Sequence, residues 1–381
     1  MKTSKNLIAM LALCFCVTIS YAQNGDENRL KALVRSFYNT SLNVLSGQNA
    51  STALAADPNA ADIQEGSKSE LDNNGKLHAN LAAKQIAYSN GQVKDIVYED
   101  IKLSGSTATV KAKALINFRI KASAGAPEFT EYEERHTFVF DKTGNRWVLK
   151  STEARPYGDV INTLPPNAKV SKDTLPKATR TPTKLEGGSP ADRPKTFPSN
   201  PGNEPKGPWI NDDPLAPFYG TFSWDAAAAY ARRWALSYNP DYTQFSNDCT
   251  NFISQCLRAG GWIYVGSEFS RTSNTTWYYG YLSQSYTWAG AHNHYWFHAS
   301  MSRSWIAEQM SWLYVGEPIS IDFTGDGHID HTVLVTSKDA NNNLYVSYHT
   351  NNNLDRPMTY FYTTYPSAKY YGWMMKGTYD Q

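Results

Sequence analysis

The sequence predicts a two-part α+β chain, and three observations lead there. Its 381 residues are enough for two domains. A stretch from 156 to 217, punctuated by Pro165, Pro166, Pro176, Pro182, Pro190, Pro194 and further prolines, carries no hydrophobic period. Such a segment reads as an extended linker, semi-rigid where proline dominates. Finally, ten of the eleven tryptophans lie between Trp209 and Trp373, so the two flanking parts are not copies of one unit.

Residues 1–22 read as a secretory signal peptide. Lys2 and Lys5 precede an apolar run from Leu7 to Ile19, and Ser20-Tyr21-Ala22 places small residues where cleavage occurs. The expected location is secreted or periplasmic. No later run of ~18 apolar residues predicts a membrane span. A net charge of +1 with 19% charged residues gives no electrostatic case for nucleic acid or an anionic membrane.

The first domain is expected over 25–155. Leu30, Leu33, Val34, Phe37, Tyr38, Leu42 and Leu45 recur at helical spacing and predict one long amphipathic helix. Strand-like runs follow at Val93–Ile101, Thr107–Ile120, Tyr132–Phe140 and Arg146–Ser151. Gly144 supplies the turn between the last two. One helix followed by a meander of long strands resembles the cone-shaped fold of SnoaL-like domains. His78 and His136 have no neighbours at ligand spacing and read as structural or solvated.

The second domain is expected over 218–381. Asp225–Tyr238 reads as a helix ended by Asn239-Pro240. Asp248-Cys249-Thr250-Asn251-Phe252 opens another, with Asp248 as N-cap and Gly260-Gly261 as the stop. Phe252, Ile253, Cys256 and Leu257 then point one helix face into a core. Strands are predicted at Thr332–Thr336, Leu344–His349 and Met358–Tyr362.

Chemistry concentrates at Cys249. A thiol at a helix N-terminus sits where the macrodipole favours an anion, which lowers its pKa and predicts a reactive thiolate. After signal cleavage only Cys249 and Cys256 remain. Seven residues of helix separate them by about 10 Å, too far for a disulfide. Cys256 reads as a small core residue. A cysteine nucleophile needs a base, and a base needs a group that fixes its tautomer. His331, at a strand start after a Gly- and Asp-rich loop, is the expected base. The next strand ends in His349-Thr350-Asn351, and antiparallel pairing is expected to bring His349 or Asn351 to His331. The backbone N–H of Cys249 is a candidate oxyanion donor.

These residues resemble a known group. Asp248-Cys249-Thr250-Asn251-Phe252 and Asp330-His331-Thr332-Val333 are similar to the putative amidase domain family, related to CHAP and NlpC-type cell-wall hydrolases. The resemblance covers roughly Trp224 to Tyr371. It implies a papain-like fold, Cys249 as nucleophile, His331 as base and His349 as its orienting residue, with Asn351 as the fallback. His349-Thr350-Asn351 is similar to the acidic-x-Asn pattern of CHAP enzymes, with His where those often carry Glu. It also implies cleavage of amide bonds, with peptidoglycan or another peptide or amide as substrate.

Two further clusters carry weaker chemistry. The loop Asp322-Phe323-Thr324-Gly325-Asp326-Gly327-His328-Ile329-Asp330 resembles the start of a calcium loop but has Val333 where the bidentate Glu belongs, so a tight turn is favoured. His294 and His298 stand at i, i+4, yet no nearby Cys or carboxylate completes a zinc set, and with His292 they read as cleft or core. No cofactor and no metal is expected. The rival to an enzyme is a non-catalytic module that holds glycan or peptide on its aromatic surface.

Overall fold

A computed structural model describes residues 25–155, 219–280 and 283–380. The expected signal peptide at 1–22 and linker at 156–217 lie outside the described residues. The described chain divides into two compact units, both mixed α+β. The first takes 25–79, 90–117 and 134–155. The second takes 80–89, 118–133 and the residues from 219 onward.

The first unit begins with helix α1 (25–45), then α2 (Ala50–Ala55) and α3 (Ala60–Ala83). Four strands follow: β1 (Ala87–Ser104), β2 (Thr107–Lys121), β3 (Phe129–Thr143) and β4 (Arg146–Ala154). All four expected strands are present, and Gly144 adopts φ 62° at the β3–β4 turn. The expected single helix is corrected to three. The only large apolar residues of the 24-residue α3 are Ile63, Leu71, Leu77 and Leu81, and the polar Asp62 and Ser67 are buried beside them. Its helical period is therefore faint in an apolar count. Inside the unit, Leu30, Leu33, Val34 and Phe37 of α1 are fully buried, and Phe37 meets Phe138 of β3 edge-to-face at 5.1 Å.

The second unit orders its elements as β5 (Tyr219–Thr221), α4 (Trp224–Trp234), α5 (Cys249–Ala259), α6 (Tyr286–Ala289), α7 (Ala291–Ser300) and β6 (Ser304–Ile306). Then come β7 (Pro318–Asp322), β8 (His331–Lys338), β9 (Leu344–Tyr348), β10 (Asn353–Pro357), α8 (Thr359–Thr364), β11 (Lys369–Met375) and β12 (Thr378–Asp380). Its sheet runs β10-β9-β8-β7-β11-β6, antiparallel at every step. Both faces of β8 are covered, which is why His331 to Ser337 are all buried. Leu334 belongs to the cluster with Phe252, Ile253, Cys256 and Leu257 of α5. Val333 and Val335 belong to the opposite one, with Ile319, Ile321, Tyr348 and Phe361. Alternation along a strand produces this division.

The strand expected at Met358–Tyr362 is corrected to helix α8. Met358 and Phe361, three apart, are both buried in one cluster, whereas Tyr362 is 39% exposed. β-Favouring residue types misled the reading, because tertiary burial at i, i+3 outweighs propensity. Phe361→Ala should cost about 3–5 kcal/mol in urea unfolding. Tyr362→Ala should stay near about 0.5 kcal/mol, and equal losses would argue against this helical facing.

Candidate active site

Helix α5 starts at Cys249, as its sequence predicts, and Phe252 N donates to Asp248 O in its first turn (2.9 Å). Asp248 is the N-cap residue, but its side chain makes no capping bond. The carboxylate works elsewhere. Its Oδ1 accepts from Phe245 N (2.9 Å) and from Asn251 Nδ2 (2.9 Å). Its Oδ2 stands 2.7 Å from His349 Nδ1. The backbone N of Asp248 donates to Thr350 Oγ1 at 2.8 Å. Thus the turn after β9 and the turn before α5 are tied together.

His349 is clamped at both nitrogens. Nε2 lies 2.8 Å from Trp234 O, at the end of α4, and a carbonyl only accepts, so Nε2 carries a proton. Its ring stacks on Phe252 with centroids 3.9 Å apart. His349 therefore holds Asp248, not His331, and the expected orienting role toward His331 is corrected. The sequence offered one signal: an Asp directly before a helix can be bound by other donors than that helix. Asn351 sits beyond β9 in a turn where Thr350 and Asn351 both adopt positive φ, 63° and 62°. Its carbonyl accepts from Asn353 Nδ2.

Cys249 is buried. Its side-chain partners are Asn247 Oδ1 at 3.6 Å and Thr250 Oγ1 at 3.7 Å. The backbone N–H of Thr332 also donates toward the sulfur. Thr250 Oγ1 in turn lies 3.3 Å from Thr332 Oγ1, so α5 begins against the first residues of β8. Burial pushes the thiol pKa up, and the Asp248 charge adds to the rise, against lowering by Thr250 and the Thr332 amide. The expected depressed pKa is corrected: desolvation outweighs the helix terminus.

His331 starts β8, as expected, but its ring faces away from α5. It packs against Tyr348 (4.9 Å), Phe323 (5.9 Å) and Phe361 (6.3 Å), members of the cluster on the other side of the sheet. The Cys249 sulfur, for its part, meets the backbone N–H of Thr332, the residue after His331. Strand parity gives the reason for the ring's direction. Leu334 pairs with Ser347, so two residues on, His349 shares the α5 face, while three residues back, His331 takes the opposite one. Burial pushes the His331 pKa down to about 3, so the ring is neutral.

The Asp322–Asp330 loop is a self-bonded turn. Asp322 accepts from Gly325 N (2.6 Å) and Gly327 N (2.8 Å), and Asp330 Oδ2 from Phe323 N (2.9 Å). His294 and His298 meet edge-to-face at 4.6 Å on α7, and no group of three metal-ligating side chains occurs among the described residues. In the first unit, His78 Nδ1 bonds Leu45 O and His136 Nδ1 meets Tyr38 Oη, both at 3.1 Å, which fits structural roles.

The site thus combines a helix-borne buried cysteine with an Asp–His pair beside an antiparallel sheet. Residues 222–373 match the family described as Putative amidase domain. The matched residues contain α4 through most of β11, and with them Cys249, His331, His349 and Asn351. The family description points to amide hydrolysis. The chain is also similar to two uncharacterized proteins of Bacillus subtilis (strain 168). YhbB is 35% identical over 130 residues, covering 33% of this chain and 41% of that protein. YjcM is 34% identical over 148 residues, covering 36% of this chain and 33% of that protein. The chain therefore spans less than half the length of these relatives. No described helix is long and apolar enough to cross a membrane.

Two outcomes test this geometry. Iodoacetamide should label Cys249 more slowly at pH 7 than a free thiol, with a rate still rising at alkaline pH where a free thiol has levelled off. Fast labelling at neutral pH would contradict the burial argument. For His331, the folded pKa of about 3 lies below the unfolded value near ~6.5. Below ~6.5 the unfolded chain takes a proton that the folded one refuses, so stability falls as pH drops from ~6.5 toward about 3. His331→Phe should flatten that part of the urea-midpoint-versus-pH curve. An unchanged slope would show the ring to be accessible to protons.

Proposed function

We propose that the second unit is a cysteine hydrolase of amide bonds, with Cys249 as nucleophile. The match of residues 222–373 to the amidase family carries this reading, since it contains the helix-borne thiol. In the proposed reaction the sulfur loses its proton to a base and attacks the carbonyl carbon. The carbon–nitrogen bond breaks, the amine leaves with a proton, and water cleaves the resulting thioester. The raised thiol pKa makes the base essential, because little thiolate exists beforehand.

His331 is the proposed base, under one condition. Its ring must come free of Phe323, Tyr348 and Phe361 to reach the sulfur beside the Thr332 amide. The loop ahead of it contains Gly325 and Gly327 at φ 75° and 89°, where the backbone has most freedom. His349 acts in this reading by fixing Asp248 and hence the turn that presents Cys249, and Asn351 shapes the adjoining turn. A papain-like fold for this unit, a SnoaL-like fold for the first, export by the signal peptide and peptidoglycan as substrate complete the proposal.

A second reading has its own observation. The His331 ring is packed among Tyr348, Phe323 and Phe361, and a non-catalytic module that binds peptide or glycan needs no accessible base. One experiment separates the two. Purified protein is incubated with peptidoglycan fragments and simple peptide amides, and products are read by mass spectrometry. Wild type should release amine products, Cys249→Ala should fall by at least about 10³-fold, and His331→Ala should fall while keeping its fold. Binding without turnover in wild type would establish the module, and full activity of Cys249→Ala would remove the cysteine mechanism.

A further inference from the structure

Beside α7 lies a cluster in which hydrogen-bond donors outnumber acceptors. It consists of Trp262, just after α5, His294 and His298 on α7, and Arg303 ahead of β6. The groups touch in series. The rings of His294 and His298 are 4.6 Å apart, those of His298 and Trp262 5.1 Å, and the Arg303 guanidinium carbon is 5.4 Å from the Trp262 ring. All four residues are at most 2% exposed.

Some of their polar atoms are satisfied. Arg303 Nη1 donates to Ile263 O, and His298 Nδ1 meets Ser304 Oγ, both at 2.8 Å. Others have no hydrogen-bond partner among the described residues: Trp262 Nε1, both nitrogens of His294, His298 Nε2, and Nε and Nη2 of Arg303. An indole and a guanidinium only donate, and each neutral imidazole adds one more donor. Aromatic rings of Trp262, Phe297 and Tyr379 stack on the guanidinium and leave its N–H edge as the unsatisfied part. A guanidinium remains charged in proteins. No carboxylate forms an ion pair with it among the described residues, and a buried charge without a counter-charge is costly. A metal cation fits poorly beside Arg303.

We propose that this cluster binds a small monovalent anion, a halide or a carboxylate the size of formate, which neutralises Arg303 and accepts from the surrounding N–H groups. The site stands apart from the cysteine-hydrolase reading, and neither depends on the other.

Thermal melting of the full chain tests it, with chloride or formate replacing gluconate, a bulkier monoanion, at constant ionic strength. A ligand that binds only the folded state raises Tm with saturation. Chloride or formate should raise Tm by a few degrees and saturate. Arg303→Met and His298→Gln should each lose that response. If Arg303→Met does not fold, His298→Gln alone is read. A crystal soaked in bromide should show its anomalous peak at this cluster. Failure of both anions to act beyond gluconate overturns the proposal. So does a folded Arg303→Met that responds like wild type, or bromide bound only elsewhere.

Discussion

The contact between Asp248 and His349 is the constraint around which the second unit is arranged. Its 2.7 Å bond joins the turn before α5 to the turn after β9, and the ring's other nitrogen reaches the end of α4. Three elements distant in sequence are fixed by one imidazole. Asp248 spends its remaining oxygen on Phe245 N and Asn251 Nδ2, so the buried carboxylate is fully engaged. Removing one partner leaves the other's buried polar atom without its hydrogen bond, which typically costs about 1–3 kcal/mol. The position of the Cys249 thiol follows from this contact, since the thiol belongs to the residue after Asp248.

Parity along the central strands sets the rest. Thr332 and Leu334 turn toward α5, while His331, Val333 and Val335 turn toward α8. A shift of one residue in a strand exchanges all of these. His349 reaches the α5 face because Ser347, its neighbour but one, is paired with Leu334. Adjacency of strands therefore does not make two histidines neighbours.

Competition between two local effects decides the state of the thiol. A helix terminus favours an anion by about 0.3–1 kcal/mol, and up to ~2 kcal/mol in partly buried geometries. Full burial can shift a pKa by up to about 3–5 units, each worth ~1.4 kcal/mol. For Cys249, which nine consecutive buried residues from Cys249 to Leu257 keep from water, burial wins. In the proposed hydrolase this sulfur therefore depends on a proton acceptor more than on the helix.

The sequence by itself determined α4, the thiol-bearing α5 and strands β8 and β9 of the second unit, and the four strands of the first unit. Each of these is a local pattern: apolar residues at i, i+3 and i+4 around Phe252, or alternation from Thr107 onward. It also determined that Cys249 and Cys256 stay unpaired, because helical rise alone separates them. Helix α3 escaped it because few apolar side chains mark its buried face. α8 escaped it because Met358 to Tyr362 is β-favouring and its burial comes from a distant cluster. Only the tertiary structure decided that Asp248 holds His349 instead of capping α5, and that His331 faces Phe361. It also decided that the thiol is desolvated. Those outcomes depend on sheet register and on what covers each face, and both are set by residues a hundred positions apart.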